Sequence, residues 1–242
     1  MTGTTAPRAR SGKAADRPPV TAKKIIEVAV RLTAEDGLDT WSTRQLAAEL
    51  NVWPRVIYHH VGDREAVADA VADHVVGQVP LPEAGLPWRD WFEALLIGGR
   101  QVLLNFPGVA RRLVRTGPTM PSALNLMDQG VLVLQRAGFG DGATAAYRYL
   151  TNSAFMLVAV EDDRAEHLPD ARARLAGILS AHRGDAEHPG LAVVGEAVVE
   201  RGADDPEAIK ALETEFYAYT VERALDGIAV MLKQGATAPA SL

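Results

Sequence analysis

A chain of 242 residues has room for one large domain or two smaller ones, and its 48% hydrophobic and 23% charged content is that of a soluble globular protein. It has no cysteine, which excludes a disulfide scaffold, a thiolate zinc site, an iron–sulfur cluster and a cysteine nucleophile. The net charge of -6 is unevenly spread: residues 1–64 carry ten Lys/Arg against seven Asp/Glu and residues 65–242 fifteen against twenty-four, the pattern of a basic contact module on an acidic body.

Residues 1–20, MTGTTAPRARSGKAADRPPV, are small, polar and basic, with too little apolar surface to order themselves. They are expected to form a disordered basic arm, with Arg8, Arg10, Lys13 and Arg17 either solvated or brushing phosphates. The arm lacks the apolar core of a signal peptide. No later run approaches the ~18 residues of a membrane span. A cytoplasmic location without membrane contact is expected.

A first helix opens at Thr21, whose hydroxyl suits an N-cap, with Val20 and Ile25 at the positions of a hydrophobic staple. Ile25, Val28, Ala29 and Leu32 recur at helical spacing until Gly37. Ser42 or Thr43 caps a second, short helix that turns Leu46, Ala47 and Leu50 inward, and Asn51 tolerates the left-handed backbone that ends it. Pro54 fits the first turn of a third helix, where its missing N–H would be unpaired anyway. Two short helices across a tight turn, with a helix before them as support, make a helix-turn-helix. Asp63 caps a fourth helix over 64–78. The proline-rich PLPEAGLP at 80–87 is the expected boundary between a 21–79 head and an 80–242 body.

The body also reads as helical throughout: 88–105, 108–117, 121–138, 141–163, pieces at 168–182 and 190–201 around the loop RGDAEHPG, and a long helix over 206–233. No strand and no internal repeat is expected, so the fold class is all-α.

Chemistry narrows the choices further. Nucleophile elbow, Walker loop and dinucleotide fingerprint are absent. The carboxylates at 161–163 read as a solvated helix end rather than an acid/base pair. His59 and His60 are adjacent, so on a helix they diverge and cannot chelate one ion. Asp185, Glu187 and His188 share one loop and could grip a cation, although solvated side chains are the better reading. No catalytic residue, metal or cofactor is expected.

A polyanion accounts for more. A recognition helix presents hydrogen-bonding side chains from its N-terminal end to the major groove. Arg55 can fork to guanine O6 and N7. Tyr58 and His60 offer O–H and N–H groups to phosphates or base edges. Ser42, Thr43 and Arg44 stand at a helix start that suits a phosphate. Arg64 opens the next helix, where it could clamp the far strand.

The stretch STRQLAAELNVWPRVIYHHVGDREAVADAV resembles the DNA-binding region of the tetracycline-repressor (TetR) family of bacterial transcription regulators. The likeness runs from about 21 to 75 and rests on Thr43-Arg44, Leu46-Ala47, Leu50-Asn51-Val52, Ile57-Tyr58, His60 and Asp63-Arg64. The segment ETEFYAYTVERALDGIAVML is similar to the family's final dimerisation helix. Three departures stand out: Asn51 replaces the usual glycine of the turn, Trp53 replaces a capping serine, and Gly62-Asp63 precede Arg64 where lysine is frequent.

The resemblance implies an N-terminal helix-turn-helix DNA-binding domain and a C-terminal helical ligand-binding and dimerisation domain. The implied partners are double-stranded operator DNA, a second copy of the chain and a small apolar or aromatic effector. DNA contacts would come from Ser42, Thr43, Arg44, Pro54, Arg55, Val56, Tyr58, His60 and Arg64. Dimerisation would use 141–163 and 206–233, whose apolar stripes are too broad for a single neighbour. An effector pocket would draw on Trp88, Trp91, Phe92, Phe106, Met120, Met127, Tyr147, Phe155 and Met156. Its polar anchors would be Arg100, Asn125, Gln129 and Asn152. The fourth helix, as the only join between head and body, would carry the coupling. The rival expectation is a helical binding protein or enzyme that never touches DNA.

Overall fold

The computed structural model describes residues 20–167, 170–201 and 205–234. The basic arm, with Arg8, Arg10, Lys13 and Arg17, therefore lies outside the described residues. Those that are described form helices and no strand: α1 (Ala22–Asp36), α2 (Thr43–Leu50), α3 (Pro54–His60), α4 (Arg64–Val76), α5 (Trp88–Leu103), α6 (Val109–Thr116), α7 (Pro121–Arg136), α8 (Ala143–His167), α9 (Ala171–Ser180), α10 (Pro189–Glu200) and α11 (Pro206–Gln234). No helix among them is long and apolar enough to cross a membrane.

Short-range chemistry sets the first four helices. The Thr21 hydroxyl accepts the Lys24 N–H at 3.2 Å. Ser42 rather than Thr43 caps α2: its hydroxyl accepts the Gln45 N–H at 3.2 Å, while Gln45 Oε1 accepts the Ser42 N–H at 2.8 Å. Asn51 ends α2 in the left-handed region, with φ 52° and ψ 50°. Trp53 precedes α3 without capping it, so the preset φ of Pro54 supplies the first turn. Asp63 accepts the Ala66 N–H at 2.8 Å and opens α4.

The four helices close around Ile25, Ala29, Leu46, Ala47, Ile57, Val67 and Val71, all buried. A polar thread fixes the α1–α2 connection. The indole N–H of Trp41 donates to the Thr33 hydroxyl at 2.9 Å, and that hydroxyl donates to the Ala29 carbonyl at 2.8 Å.

In the body, α8 packs against α5, α6, α7 and α11. Trp91, Phe92, Leu95, Leu96, Leu134, Leu150 and Leu225 fill the space between them. Tyr217 of α11 donates to the Leu96 carbonyl at 2.9 Å, and the ring lies 5.1 Å beneath the Arg100 guanidinium. Helices α9 and α10 pack on one another as a hairpin, tied to α11 by the pairs Arg172–Glu213 and Arg201–Glu215.

Two expectations are corrected. The carboxylates at 161–163 are not a solvated helix end, because α8 runs on to His167 and presses them against its neighbours. Glu161 pairs with Arg100 at 3.0 Å, Asp162 accepts the Gly108 N–H at 3.0 Å, and Asp163 pairs with Arg111. Nor is α4 the only join between head and body. The Leu38 N–H donates to the Pro107 carbonyl at 2.8 Å and Arg111 meets Asp39 at 3.0 Å, so the α1–α2 turn docks on the α5–α6 turn. Such pairings between distant residues leave no periodic trace in a sequence.

Candidate DNA-binding head and effector cavity

Helix α3 is held by one buried anchor, Ile57, and leaves its polar side chains outside. Arg55, Tyr58, His59 and His60 are exposed, while Pro54 and Val56 are half-buried. On α2, Ser42 and Arg44 are exposed and Thr43 is half-buried. Trp53 is 74% exposed at the entry to α3. An indole left in water at a helix start is uncommon, and sequence reasoning passed over it as a missing cap. Its exposure could not be told from sequence, since tryptophan more often packs inward.

Arg64 behaves differently from the other head arginines. Its guanidinium donates to the Leu38 carbonyl and lies 4.5 Å from the Trp41 ring centroid. The side chain braces the α1–α2 turn against α4 from within the head.

An apolar cavity of about 80 Å³ lies where α4 enters the body. Val76, Val79, Leu103, Leu113, Pro118, Ala123 and Leu126 line it. Tyr147, Thr151, Asn152 and Phe155 of α8 complete it. Burial pushes the Tyr147 hydroxyl up to about 12, so it is a neutral donor and acceptor throughout the physiological range. Gly130 on α7 sets the position of that ring: a Cβ there would meet Tyr147 carbons at 2.7 and 2.8 Å.

Of the pocket residues expected from sequence, only Tyr147, Asn152 and Phe155 line this cavity. Trp91, Phe92 and Met120 are buried in the core. Trp88 packs edge-on against Phe139 at 5.3 Å, and Phe106 and Met127 lie half-buried against the core. Arg100 is held by Glu161, Gln129 donates to Asp128, and Asn125 and Met156 face solvent. The lining residues that sequence reasoning missed are aliphatic and small, and nothing in their type separates a cavity wall from ordinary core. Two larger clefts, of about 530 and 660 Å³, are rimmed by charges such as Arg172, Glu213, Glu161 and Arg164.

Helix α6 touches both regions. Leu113 lines the cavity, while Arg112 grips α4 through Asp69 at 2.6 Å and Glu65 at 2.9 Å. Its neighbour Arg111 spans Asp39 of the head and both Asp163 and Glu166 of α8. On α7, the Ser122 N–H donates to Asp73 of α4 at 2.7 Å. Along α8 and α11, Tyr149, Met156, Val160, Phe216, Tyr219 and Val230 are exposed apolar side chains.

Residues 25–71 match the family model described as bacterial regulatory proteins, tetR family, and residues 79–232 match that of the tetracyclin repressor-like, C-terminal domain. The chain belongs to the TetR family. Within the TetR family, it is 35% identical over 180 residues to an HTH-type transcriptional regulator of Saccharopolyspora erythraea, spanning 73% of this chain and 75% of that protein. It is 31% identical over 144 residues to the tetracycline repressor protein class A from transposon 1721 of Escherichia coli, 58% of this chain and 66% of that one. The TetR fold itself recurs in Streptomyces coelicolor ActR, solved in complex with actinorhodin, with a TM-score of 0.68 at 21% identity over 91% of this chain and 98% of that one. TetR-family proteins are transcription regulators rather than enzymes; they bind operator DNA, act as dimers and bind small-molecule effectors.

Proposed function

We propose that this TetR-family chain is an effector-released repressor. Two copies pair through the exposed apolar faces of α8 and α11 and lower their α3 helices into successive major grooves of a pseudo-palindromic operator. Residues 21–79 act as the DNA-binding unit and 80–242 as the effector and pairing unit, in the cytoplasm. Arg55 reads a guanine, with Tyr58 and His60 beside it, Pro54 and Val56 framing the helix start and Trp53 against the sugar–phosphate edge. Thr43 and Arg44 hold a phosphate at the start of α2, where the Ser42 hydroxyl is already engaged as a cap and leaves the two residues that follow it to make the contact. Arg64, occupied by Leu38 and Trp41, serves the head's shape instead of touching DNA.

The observation that carries the reading is the double role of α6, which walls the cavity with Leu113 and holds α4 and the α1–α2 turn through Arg112 and Arg111. Sites for drug-sized ligands measure roughly 300–1,000 Å³. The cavity of about 80 Å³ is well below that. An effector must therefore enlarge it, and the walls that yield are the same helices that hold the head. Differential affinity for the enlarged state is what releases DNA, with coupling of about 1–3 kcal/mol typical. The mostly aliphatic lining, with the Tyr147 hydroxyl and the Asn152 amide as polar points, supports an apolar or aromatic effector.

Electrophoretic mobility shift with the DNA flanking its own gene tests the proposal. The expected result is a complex that weakens steeply with salt and dissociates with a compound that raises the protein's melting temperature. Binding no tighter than to an unrelated duplex at every salt concentration would overturn it.

A further inference from the structure

We propose that His182, Asp185 and His188 bind one divalent transition-metal ion of the zinc type at the turn joining α9 to α10. The three residues repeat at intervals of three through the turn. One oxygen of Asp185, Oδ1, accepts the N–H groups of Glu187 at 2.9 Å and His188 at 3.1 Å, which anchors the carboxylate. The other, Oδ2, meets Nδ1 of His182 at 2.8 Å and Nδ1 of His188 at 3.0 Å. The two imidazole rings stand 5.9 Å apart at 75°, and the three donor atoms all lie within 4.8 Å of one another.

The two nitrogen–oxygen spacings are close to what a metal requires. Zinc bonds of about 2.0–2.1 Å in a tetrahedral shell hold neighbouring donors roughly 3.3 Å apart. Opening the two Nδ1–Oδ2 contacts by a few tenths of an ångström, with the two rings drawn to a similar separation, admits the ion in place of the direct ring–carboxylate contacts, each neutral imidazole binding through Nδ1 and carrying its proton on Nε2. Two imidazoles and one carboxylate suit zinc, nickel or copper and disfavour calcium and magnesium, which prefer all-oxygen shells. The backbone N–H pair on Oδ1 is the outer support that such ligands normally have. His188 is exposed, so the fourth position opens to water. Glu187 contributes its backbone to the carboxylate rather than a side-chain ligand.

The ion would tie the end of α9 to the start of α10 more firmly than the Asp185 carboxylate now does, beside the ion pair Arg183–Glu196 at 2.9 Å. The test is calorimetric titration of zinc sulfate into the untagged, chelator-treated full chain. One ion per chain is expected to bind, with hydrogen exchange of the 181–190 amides slowed in its presence. His188→Gln and Asp185→Asn should each weaken binding by more than the roughly tenfold to hundredfold that loss of an outer partner costs. Cobalt(II) should give visible d–d absorption in the wild type that the His182→Gln/His188→Gln double variant lacks. These are surface substitutions, so circular dichroism should match the wild type. Equal zinc affinity in the wild type and the double variant would assign the binding to scattered surface histidines and overturn the proposal.

Discussion

Arg55 and Arg44 are both exposed arginines of the head, yet they stand on different helices and should meet different parts of the duplex. Arg55→Ala is expected to cost about 1–3 kcal/mol at one base position and to relax preference there, because the contact proposed for it is a bidentate one to a base edge. Arg44→Ala should weaken all sequences alike and reduce the salt slope by about one, because the contact proposed for it is a phosphate. Titrations of operator and single-base variants at several salt concentrations separate the two, and identical profiles for both variants would contradict the assignment. Asp162 offers a test of a different kind. Burial pushes its carboxyl up to about 6, against the downward pull of the Gly108 N–H. An unfolded aspartate titrates near 4, so between about pH 4 and pH 6 the folded chain holds the extra proton and stability falls as pH rises. Above that window the buried charge costs on the order of 2 kcal/mol. Asp162→Asn keeps an acceptor for the Gly108 N–H. It should match the wild type near pH 4 and melt higher at pH 7, and a wild type that melts higher at pH 7 would reverse the sign.

At the scale of elements, α6 and α7 join the cavity wall to the helix that enters the head, through Arg112 and the Ser122 N–H on α4. Arg112→Ala removes the grip on Glu65 and Asp69 of α4 while leaving the cavity wall intact. A compound that stabilises the wild type should still bind this variant with similar affinity but should displace it from operator DNA several-fold less effectively. Calorimetry paired with fluorescence anisotropy reads the two halves, and unchanged displacement would exclude α6 as the connection. On α7, Gly130→Ala drives a methyl into the Tyr147 ring. Overpacking of this kind costs about 1–3 kcal/mol of stability. Because that ring is part of the cavity wall, compound binding should weaken as well, measurable by thermal shift with and without the compound. The order of helices α1–α4 was legible in the residues themselves: Thr21, Asn51, Pro54 and Asp63 act on the backbone within a few positions, and each did in the structure what its side chain allows. The pocket was not legible in this way. Trp91 and Phe92 looked like ligand contacts and are core, because an aromatic side chain carries the same pattern in either role, while Val76, Leu113 and Ala123 gave no signal at all.

For the whole molecule, pairing is the quantity to measure. Phe216 and Tyr219 are each 59% exposed on α11 and share a cleft with exposed Val160 of α8, on which Met156 is exposed too. Phe216→Glu would set a charge in the expected interface. It should shift the protein toward monomer in sedimentation and lower operator affinity by at least tenfold, since two linked heads bind far better than one. A variant that remains dimeric would move the interface elsewhere.

By itself, the sequence determined the all-helical class, the helix-turn-helix with its Asn51 stop and Pro54 start, and the polar face of α3, since each depends on neighbours within about four positions. Only the tertiary structure decided which side chains wall the cavity, that Arg64 turns inward to Trp41, that Glu161, Asp162 and Asp163 are clamped, and that the Leu38 and Pro107 turns dock. These are meetings of residues dozens of positions apart, fixed by how whole helices pack, and periodicity along the chain carries no record of them.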